Sequence, residues 1–374
     1  MTIYFDPEGT VAGLEKCLRQ ASEHEHVSGL LVLCCDANLF TAEKIDSILQ
    51  ATTHPLAGGI FPYIIYKQQL CTQGTMVVGL QDVVTVQTIS ELSDPDVDYE
   101  QLLIQKMPDS SKVRTLILFV DGFSTRISPF IECLFNVFGL DFNYVGGGAG
   151  SLSLKQQPCI LYNSGLIQDG AVLLFLETES GVGVCHGWQE LSGPYQVTEA
   201  SNNIIHTIEW QPAFDFYRSV LLEKTNSRIN RDAFYATAKN YPFGIARLSG
   251  EQIVRDPYLV ETDGSLVCVG EIPEGAFFSI MRADADNLIQ AAADSLKLSL
   301  EALPSGKSEG LRLFVDCVSR AVVLKDQFQR EIDAVYSTAL PLIGICSIAE
   351  IANSGTEYLE LYNRTAVMAV LARK

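Results

Sequence analysis

One sequence pattern recurs along the chain and constrains its fold. Residues 118–124 read Leu-Phe-Val-Asp-Gly-Phe-Ser, and residues 313–319 read Leu-Phe-Val-Asp-Cys-Val-Ser, with an arginine close behind each copy. Each copy is typical of a buried strand that ends in an acid and a hydroxyl before a helix. A second apolar strand running into small residues follows, at 144–150 and at 342–347. The pattern predicts the same strand–helix–strand unit at least twice.

An earlier and weaker copy begins with the apolar run at 29–35. Asp36 stands where Asp121 and Asp316 stand in the other copies, and Gly58-Gly59 supplies the small residues of the second strand. An acid at a strand end either caps the next helix or accepts hydrogen bonds from a ligand. Glycines allow close approach of a ligand or of another strand.

Length and composition favour two domains. The 374 residues are 47% hydrophobic and 19% charged, which is typical of a globular chain with a large core. We predict a mixed α/β fold whose sheets are flanked by helices and built from the repeated units. The first domain is expected to cover residues 1–200 and the second 201–374, with the boundary at the Ser-Asn-Asn turn of 201–203.

Three local predictions accompany this division. The runs 171–176 and 181–186 are predicted to form a hairpin with its turn at 179–181. A second hairpin is predicted around Asp263-Gly264, and a helix over residues 211–222.

Charge and targeting signals limit the partners. The net charge is −19 and no basic stripe is present, so nucleic acid and anionic membranes are not expected partners. The N-terminus has no basic region followed by an apolar run, and the apolar stretches are far shorter than a bilayer requires. We expect a cytoplasmic protein without membrane insertion, in which most of the ten cysteines are buried and reduced.

Few residues carry the marks of catalysis. No Gly-x-Ser-x-Gly elbow is present, and Cys185 and His186 are neighbours on a predicted strand, where they would point to opposite faces. The glycine cluster at 146–150 lacks the Lys-Ser/Thr ending of a phosphate loop. His186 precedes Gly187-Trp188 and is either a packed, hydrogen-bonded histidine or part of a pocket wall or metal site.

Several motifs follow one another along the chain. In the first half these are the glycine cluster at 146–150 and the stretch 185–188. In the second half they are the stretches 212–217, 241–244, 263–266, 272–275, 344–351 and 360–365. As an ordered set, these motifs resemble the FIST family. The closing stretch is similar to a family motif in which His-Asn-x-Thr is common, and Tyr362 replaces the histidine here, so any role of that histidine is lost.

The resemblance implies an intracellular sensory module with a FIST N-terminal and a FIST C-terminal domain. Such modules are thought to bind small ligands, with amino acids proposed, and are often fused to or encoded beside kinases or cyclic-dinucleotide enzymes. We expect a separate partner for this chain, such as a histidine kinase or a diguanylate cyclase or phosphodiesterase. Some stand-alone members are haemoproteins that sense nitric oxide and regulate a histidine kinase, which would make His186 a candidate axial ligand.

Three hypotheses follow. The first is a non-catalytic sensor of a small molecule, the second a haem-based nitric oxide sensor, and the third a thiol or serine hydrolase. Haem is required only by the second. An arginine at each repeat suits a carboxylate-bearing ligand, although a surface ion pair would explain it equally well. The predicted ligand-binding residues are Asp121, Ser124, Arg126, Gly147, Gly148, His186, Trp188, Asp316, Ser319, Arg320, Cys346 and Glu350.

Overall fold

The computed structural model describes residues 1–108, 112–247, 252–353 and 358–373. Its first unit contains two helices and six strands. In it β2 runs parallel to β3, and β6 lies antiparallel on the other side of β2, where β1 extends the sheet. The elements are β1 (Thr2–Asp6), α1 (Val11–Ser22), β2 (Gly29–Cys35), α2 (Ala42–Ala51), β3 (Leu56–Phe61), β4 (Tyr63–Tyr66), β5 (Gln69–Cys71) and β6 (Thr75–Leu80).

The second unit repeats this order. Strands β8 and β9 are parallel, β12 lies antiparallel to β8, and β7 extends the sheet beyond β12. The elements are β7 (Val83–Ser90), α3 (Tyr99–Lys106), β8 (Thr115–Asp121), α4 (Ile127–Phe138), β9 (Asn143–Ala149), β10 (Ile160–Tyr162), β11 (Gly165–Ile167) and β12 (Gly170–Leu176).

The third unit starts with β13 (Ser180–Cys185) and is then interrupted by a barrel. Six strands of the insertion close into a ring in the order β14-β20-β17-β18-β19-β15, because β14 also pairs with β15, and β16 adds to β15. The barrel has a core of its own beneath two helices. Its elements are β14 (Gln189–Ser201), β15 (Ile204–Ile208), β16 (Gln211–Pro212), α5 (Ala213–Thr225), α6 (Phe234–Ala238), β17 (Phe243–Ile245), β18 (Ile253–Val260), β19 (Leu266–Val269) and β20 (Phe277–Arg282).

The third unit then resumes and follows the same plan. Strands β21 and β22 are parallel, and β25 lies antiparallel between β21 and β13. The elements are α7 (Ala285–Ala302), β21 (Glu309–Cys317), α8 (Val318–Leu324), α9 (Phe328–Val335), β22 (Leu342–Ser347), β23 (Glu350–Asn353), β24 (Leu359–Tyr362) and β25 (Ala366–Ala372).

Each unit gives a hairpin to another unit. The β4–β5 hairpin of the first unit pairs with β22, the β10–β11 hairpin of the second pairs with β3, and the β23–β24 hairpin of the third pairs with β9. The exchange is cyclic, so every sheet contains strands from two units. We call the three sheets and their helices the body.

One core joins the three sheets. Leu33, Phe119 and Val315, from the three central strands, belong to a single buried cluster. Side chains alternate between the two faces of a strand. In the second and third units the neighbours of these residues, such as Leu118 and Phe314, therefore point to the opposite face, where they pack beneath helices. Apolar side chains therefore occupy both faces of the central strands, which explains why these strands appear as unbroken hydrophobic runs in the sequence.

A glycine occupies the same position in each parallel pair. Gly58, Gly146 and Gly344 lie opposite Val32, Leu118 and Phe314. A Cβ on these glycines would approach the carbonyl oxygen of the opposite residue to 2.0, 1.7 and 2.3 Å respectively. The small residues of the repeat thus allow close contact between strands.

The predicted fold class is confirmed, since mixed sheets flanked by helices arise from repeated strand–helix–strand units. The hairpin around Asp263-Gly264 is also confirmed, as β18 pairs with β19. The helix predicted from residue 211 begins two residues later and ends at Thr225. The predicted boundary near residue 200 falls inside β14 and stays a prediction.

The predicted hairpin of 171–176 and 181–186 is wrong. Strand β12 pairs with β7 and β8 in the second sheet, whereas β13 pairs with β25 in the third. The second unit is complete once β12 lies beside β8. The turn after β12 therefore carries the chain to the third sheet, where β13 begins the next unit. Across the described residues, no helix has the length and apolar character needed to span a bilayer.

The glycine contacts give a stability prediction. We expect Gly146→Ala to lower the free energy of unfolding by about 3 kcal/mol or more, because a methyl group would overlap the carbonyl oxygen of Leu118 in a packed core. Gly306→Ala is the control, since that glycine has open space around it and a left-handed backbone, which costs about 1 kcal/mol. Urea unfolding of both variants measures the difference, and equal losses would contradict the proposed role of Gly146.

Candidate ligand site between body and barrel

The carboxylate of Asp121 is used by its own loop. It is fully buried and accepts hydrogen bonds from the backbone N–H groups of Asp169 (2.8 Å) and Phe123 (3.1 Å) and from the amide of Gln156 (2.9 Å). These contacts tie the end of β8 to the loops that follow β9 and β11. Asp121 therefore organises this edge of the second sheet.

Ser124 and Arg126 also bind neighbouring parts of the chain. The Ser124 hydroxyl donates to Asp169 Oδ1 at 2.7 Å. The Arg126 guanidinium donates to the carbonyl of Asp94 and lies 4.8 Å from the centre of the Tyr99 ring. The first arginine of the repeat is thus held by a carbonyl and an aromatic ring.

Gly147 and Gly148 connect the two halves of the sequence. Gly147 lies opposite Glu350 in the pairing of β9 with β23. The backbone of Gly148 donates to Ala349 (2.7 Å) and accepts from Ile348 (2.9 Å). A Cβ on Gly147 would lie 2.6 Å from the Ala349 oxygen. These glycines admit the exchanged hairpin of the third unit.

The second arginine of the repeat lies at the centre of a buried charged cluster. Arg320, Asp316 and Glu331 have no exposed side-chain surface. Arg320 Nε lies 2.9 Å from Asp316 Oδ1 and 3.0 Å from Glu331 Oε1. Its terminal nitrogens donate to the carbonyls of His186 (2.7 Å) and Leu288 (2.8 Å). Every nitrogen of Arg320 therefore has a partner within the protein.

A third carboxyl lies next to this cluster. Glu350 is fully buried, accepts a hydrogen bond from the Ser347 hydroxyl (2.8 Å) and faces the backbone N–H of Thr365 (3.2 Å). Burial raises the pKa of Glu350 to about 8, and burial also raises the pKa values of Asp316 and Glu331. Three buried carboxyls share one close cation, so the cluster holds protons more tightly than ordinary carboxyls do.

His186 and Trp188 form one wall of the cluster. The backbone N–H of Trp188 donates to His186 Nδ1 at 2.8 Å, and the Trp188 indole donates to the carbonyl of Arg364 at 3.2 Å. The Arg364 guanidinium lies 5.1 Å from the centre of the indole ring. Burial and the nearby Arg320 lower the pKa of His186 to about 4, so its imidazole is neutral at pH 7.

The surroundings of His186 do not fit haem. An axial histidine needs a flat apolar space beside its free nitrogen. His186 as a residue is 5% exposed, and its ring accepts from Trp188 and makes a further hydrogen bond with the backbone of Gln252. Arg320 binds its carbonyl. These contacts enclose the imidazole with polar groups of the protein itself.

Arg364 and Arg255 connect the cluster to the barrel. Arg364 donates to Asp256 on β18 and to the carbonyl of Lys239. Arg255, also on β18, donates to the carbonyl of Leu361 at 3.0 Å. Buried charged side chains, in addition to apolar packing, thus form the contact between body and barrel.

Four side chains of the cluster have buried polar atoms without a hydrogen-bond partner among the described residues. These atoms are Asp316 Oδ2, Glu331 Oε2, Arg364 Nε and both polar atoms of the Asn363 amide. Asn363 is 2% exposed. Native proteins leave few such atoms, because each costs about 1–3 kcal/mol. Their concentration here marks this cluster as the candidate ligand site.

The two remaining predicted residues lie around the cluster. The Ser319 hydroxyl lies 3.5 Å from Asp256 Oδ2, at the contact with the barrel. Cys346 is fully buried opposite Tyr63 in the pairing of β22 with β4, and burial raises the pKa of its thiol. The predicted residues of the second half therefore lie close to one another and to His186 and Trp188; they are Asp316, Ser319, Arg320, Cys346 and Glu350. Asp121, Ser124 and Arg126 lie in the second unit and have other partners.

Comparison with known proteins identifies the family. The model of the FIST N domain matches residues 29–211, and the model of the FIST C domain matches residues 213–353. The chain belongs to the FIST family. FIST domains are associated with small-ligand sensing in signalling.

A curated relative of the FIST protein is "Uncharacterized protein MJ1623" of Methanocaldococcus jannaschii. The two are 25% identical over 153 residues, which is 38% of this chain. The match spans 28% of the length of that relative.

Residue-by-residue reasoning from the sequence missed Glu331, Asp256, Asn363 and Arg364. A signal for Glu331 was present, since it shares the apolar face of α9 with Phe328, Ile332 and Val335. An acid on such a face needs a buried partner. Asn363 and Arg364 belong to the closing FIST motif, but their importance depends on the barrel contact, which the sequence does not reveal.

Burial disfavours nucleophilic chemistry at the buried cysteines. A nucleophilic cysteine needs a lowered pKa. Burial instead raises the pKa of the thiols of Cys34, Cys35, Cys159, Cys317 and Cys346, among others. Ser151, at the end of β9, donates to Asp36 at 2.6 Å and so has a carboxylate partner in place of an imidazole.

The raised pKa of Glu350 predicts a pH dependence of stability. The folded protein binds this proton up to about pH 8, whereas an ordinary glutamate releases it near 4.5, so the contribution is complete below pH 4.5 and is lost as the pH rises to 8. We expect Glu350→Gln to remove this decline, on the order of a few kcal/mol. Urea unfolding between pH 5 and pH 8 measures it. Glu301→Gln, on the exposed surface of α7, is the control and should leave the slope unchanged.

Proposed function

We propose that this FIST protein is a non-catalytic sensor whose small ligand binds in the cluster between body and barrel. The observation that carries the proposal is the group of buried polar atoms without partners at Asp316, Glu331, Asn363 and Arg364. A ligand that satisfies these atoms would recover the free energy that their burial costs. Ligand binding would therefore be linked to the arrangement of the body and the barrel.

The chemistry of these atoms suits an amino acid. Asp316 Oδ2 and Glu331 Oε2 would accept from an ammonium group, whose positive charge would favour their ionised forms, and Arg364 Nε and the Asn363 amide offer donors for a carboxylate. Arg320 contacts Asp316, Glu331 and the carbonyl of Arg364, so both carboxyls and the backbone of Arg364 meet at one guanidinium. Acceptors and donors at neighbouring positions match the two charges of a zwitterion.

The barrel contact supplies a way to transmit binding. The links Arg364–Asp256 and Arg255–Leu361 cross from body to barrel next to the proposed site. A ligand at Arg364 or Asn363 would bind with different affinity depending on whether these links are formed or broken. Binding would therefore shift the population between the two states. A separate signalling protein, such as a histidine kinase or a cyclic-dinucleotide enzyme, would respond to that shift.

The cysteines support a cytoplasmic location for the sensor. All ten are free of disulfide bonds, which fits a reducing compartment. The raised thiol pKa values support a role without covalent catalysis.

Ligand-induced stabilisation tests the proposal. We expect at least one proteinogenic amino acid to raise the Tm by several degrees at about a hundred times its Kd, since binding at that ratio adds about 2.7 kcal/mol. Differential scanning fluorimetry with the full set of amino acids measures the shift. If none of them stabilises the protein, the proposed ligand class is wrong.

Two variants locate the site. Asn363→Leu keeps the approximate volume of the side chain but removes both polar atoms, and should abolish the shift in Tm. Ser124→Ala removes a hydroxyl that binds Asp169 in the second unit, and should preserve it. The reverse result would move the ligand site to the end of β8.

A further inference from the structure

The barrel presents an exposed aromatic residue that its fold does not require. Trp210 is 83% exposed, more than any other large hydrophobic side chain among the described residues. It follows Glu209 in the two-residue turn between β15 and β16, and both residues have positive φ, 49° and 62°. Such turns favour asparagine and glycine, which adopt this backbone at lower cost. Folding alone therefore does not explain a tryptophan here.

Hydrogen bonds hold this turn in place. The backbone N–H of Trp210 donates to Thr198 Oγ1 at 3.1 Å. The backbone of Glu209 donates to the carbonyl of Gln196, and its carboxylate accepts from the Gln196 N–H at 2.7 Å. The indole is thus presented to solvent on a fixed backbone, so a partner that binds it has little loop entropy to overcome.

A second exposed aromatic lies on the same face. Phe277 is 53% exposed and pairs with Gln196, the residue that also holds the Trp210 turn. Val197 and Phe278 point into the barrel core, so Gln196 and Phe277 point outward. The turn and Phe277 lie on opposite sides of Gln196, about 10 Å apart by strand spacing. They define one surface, which we call the Trp210 face.

The two chain segments that form the Trp210 face carry acidic side chains and no lysine or arginine. Residues 194–211 and 271–278 contain no lysine or arginine and four glutamates, at 199, 209, 271 and 274. The whole chain carries a net charge of −19. A second copy would bring the same negative surface against this one, which disfavours self-association. A basic surface complements it.

We propose that the Trp210 face is the docking surface for a protein partner that presents an apolar socket rimmed by lysine and arginine. Tryptophan is a frequent anchor of protein interfaces, and opposite charges around it speed and orient the encounter. This inference rests on the proposed function for the claim that a partner exists, and adds which face of the barrel it contacts and what chemistry it carries.

A random-peptide phage library selected against the immobilised full-length protein tests the inference. We expect the enriched peptides to share an apolar residue flanked by lysine or arginine. They should bind the wild type at least about tenfold more tightly than Trp210→Asn, a variant that keeps the left-handed turn and removes the anchor. Leu39→Asn is the matched control, because Leu39 is also exposed (70%) and left-handed (φ 54°), and it should bind like the wild type.

Further measurements separate the possible outcomes. The double variant Glu199→Lys/Glu274→Lys keeps Trp210 and should also lose at least about tenfold in peptide affinity. Peptides that bind Trp210→Asn as well as wild type, or that carry acidic residues, would overturn the inference. A Trp210-dependent dimer in sedimentation velocity would replace the proposed partner by a second copy and also overturn it. Trp210→Asn should keep the amino-acid shift in Tm, so the docking surface and the ligand site can fail independently.

Discussion

The exchange of hairpins between units holds the body together. Each parallel strand pair is completed on one side by a hairpin from another unit, so no sheet can form from one unit alone. The exchange depends on small residues, as at Gly147, where the incoming backbone leaves no space for a side chain. It also carries Glu350, on β23, to the second sheet and leaves it close to the carboxyls of the third unit. The candidate site is thus a product of this connectivity.

The three units have similar backbones but diverge in the partners of their acids. Asp36 accepts from Ser151 and Gln157, and Asp121 accepts from an amide and backbone groups, so neither has a cation within hydrogen-bond distance among the residues that the structure describes. Asp316 instead faces Arg320 at 2.9 Å, and neither side chain has any exposed surface. Buried charges of this kind add little net stability compared with apolar packing, although breaking one pair is costly. Their presence in the unit that carries the barrel favours a functional reason for keeping them.

Much of the fold followed from local patterns, because hydrophobic runs and terminal acids report the strands directly. The parallel pairs at Asp121 and Asp316 could be predicted for that reason. The path from β12 to β13 could not, since a short turn between two apolar strands is compatible with a hairpin or with a change of sheet. Similarly, Arg320 was predicted to bind a ligand, but its partner Glu331 lies on another helix, and only the packing of α9 shows that every nitrogen of Arg320 is already bonded.

The barrel leaves and rejoins the body at adjacent points. Gln189, the first residue of β14, pairs with Arg282, the last residue of β20, so the two connections to the body lie side by side. Two adjacent connections alone constrain the barrel little, so its orientation also depends on the buried Arg364–Asp256 and Arg255–Leu361 contacts. Trp188 immediately precedes the first of these connections and lies against Arg364, so a change in the position of this arginine would act directly on the base of the barrel.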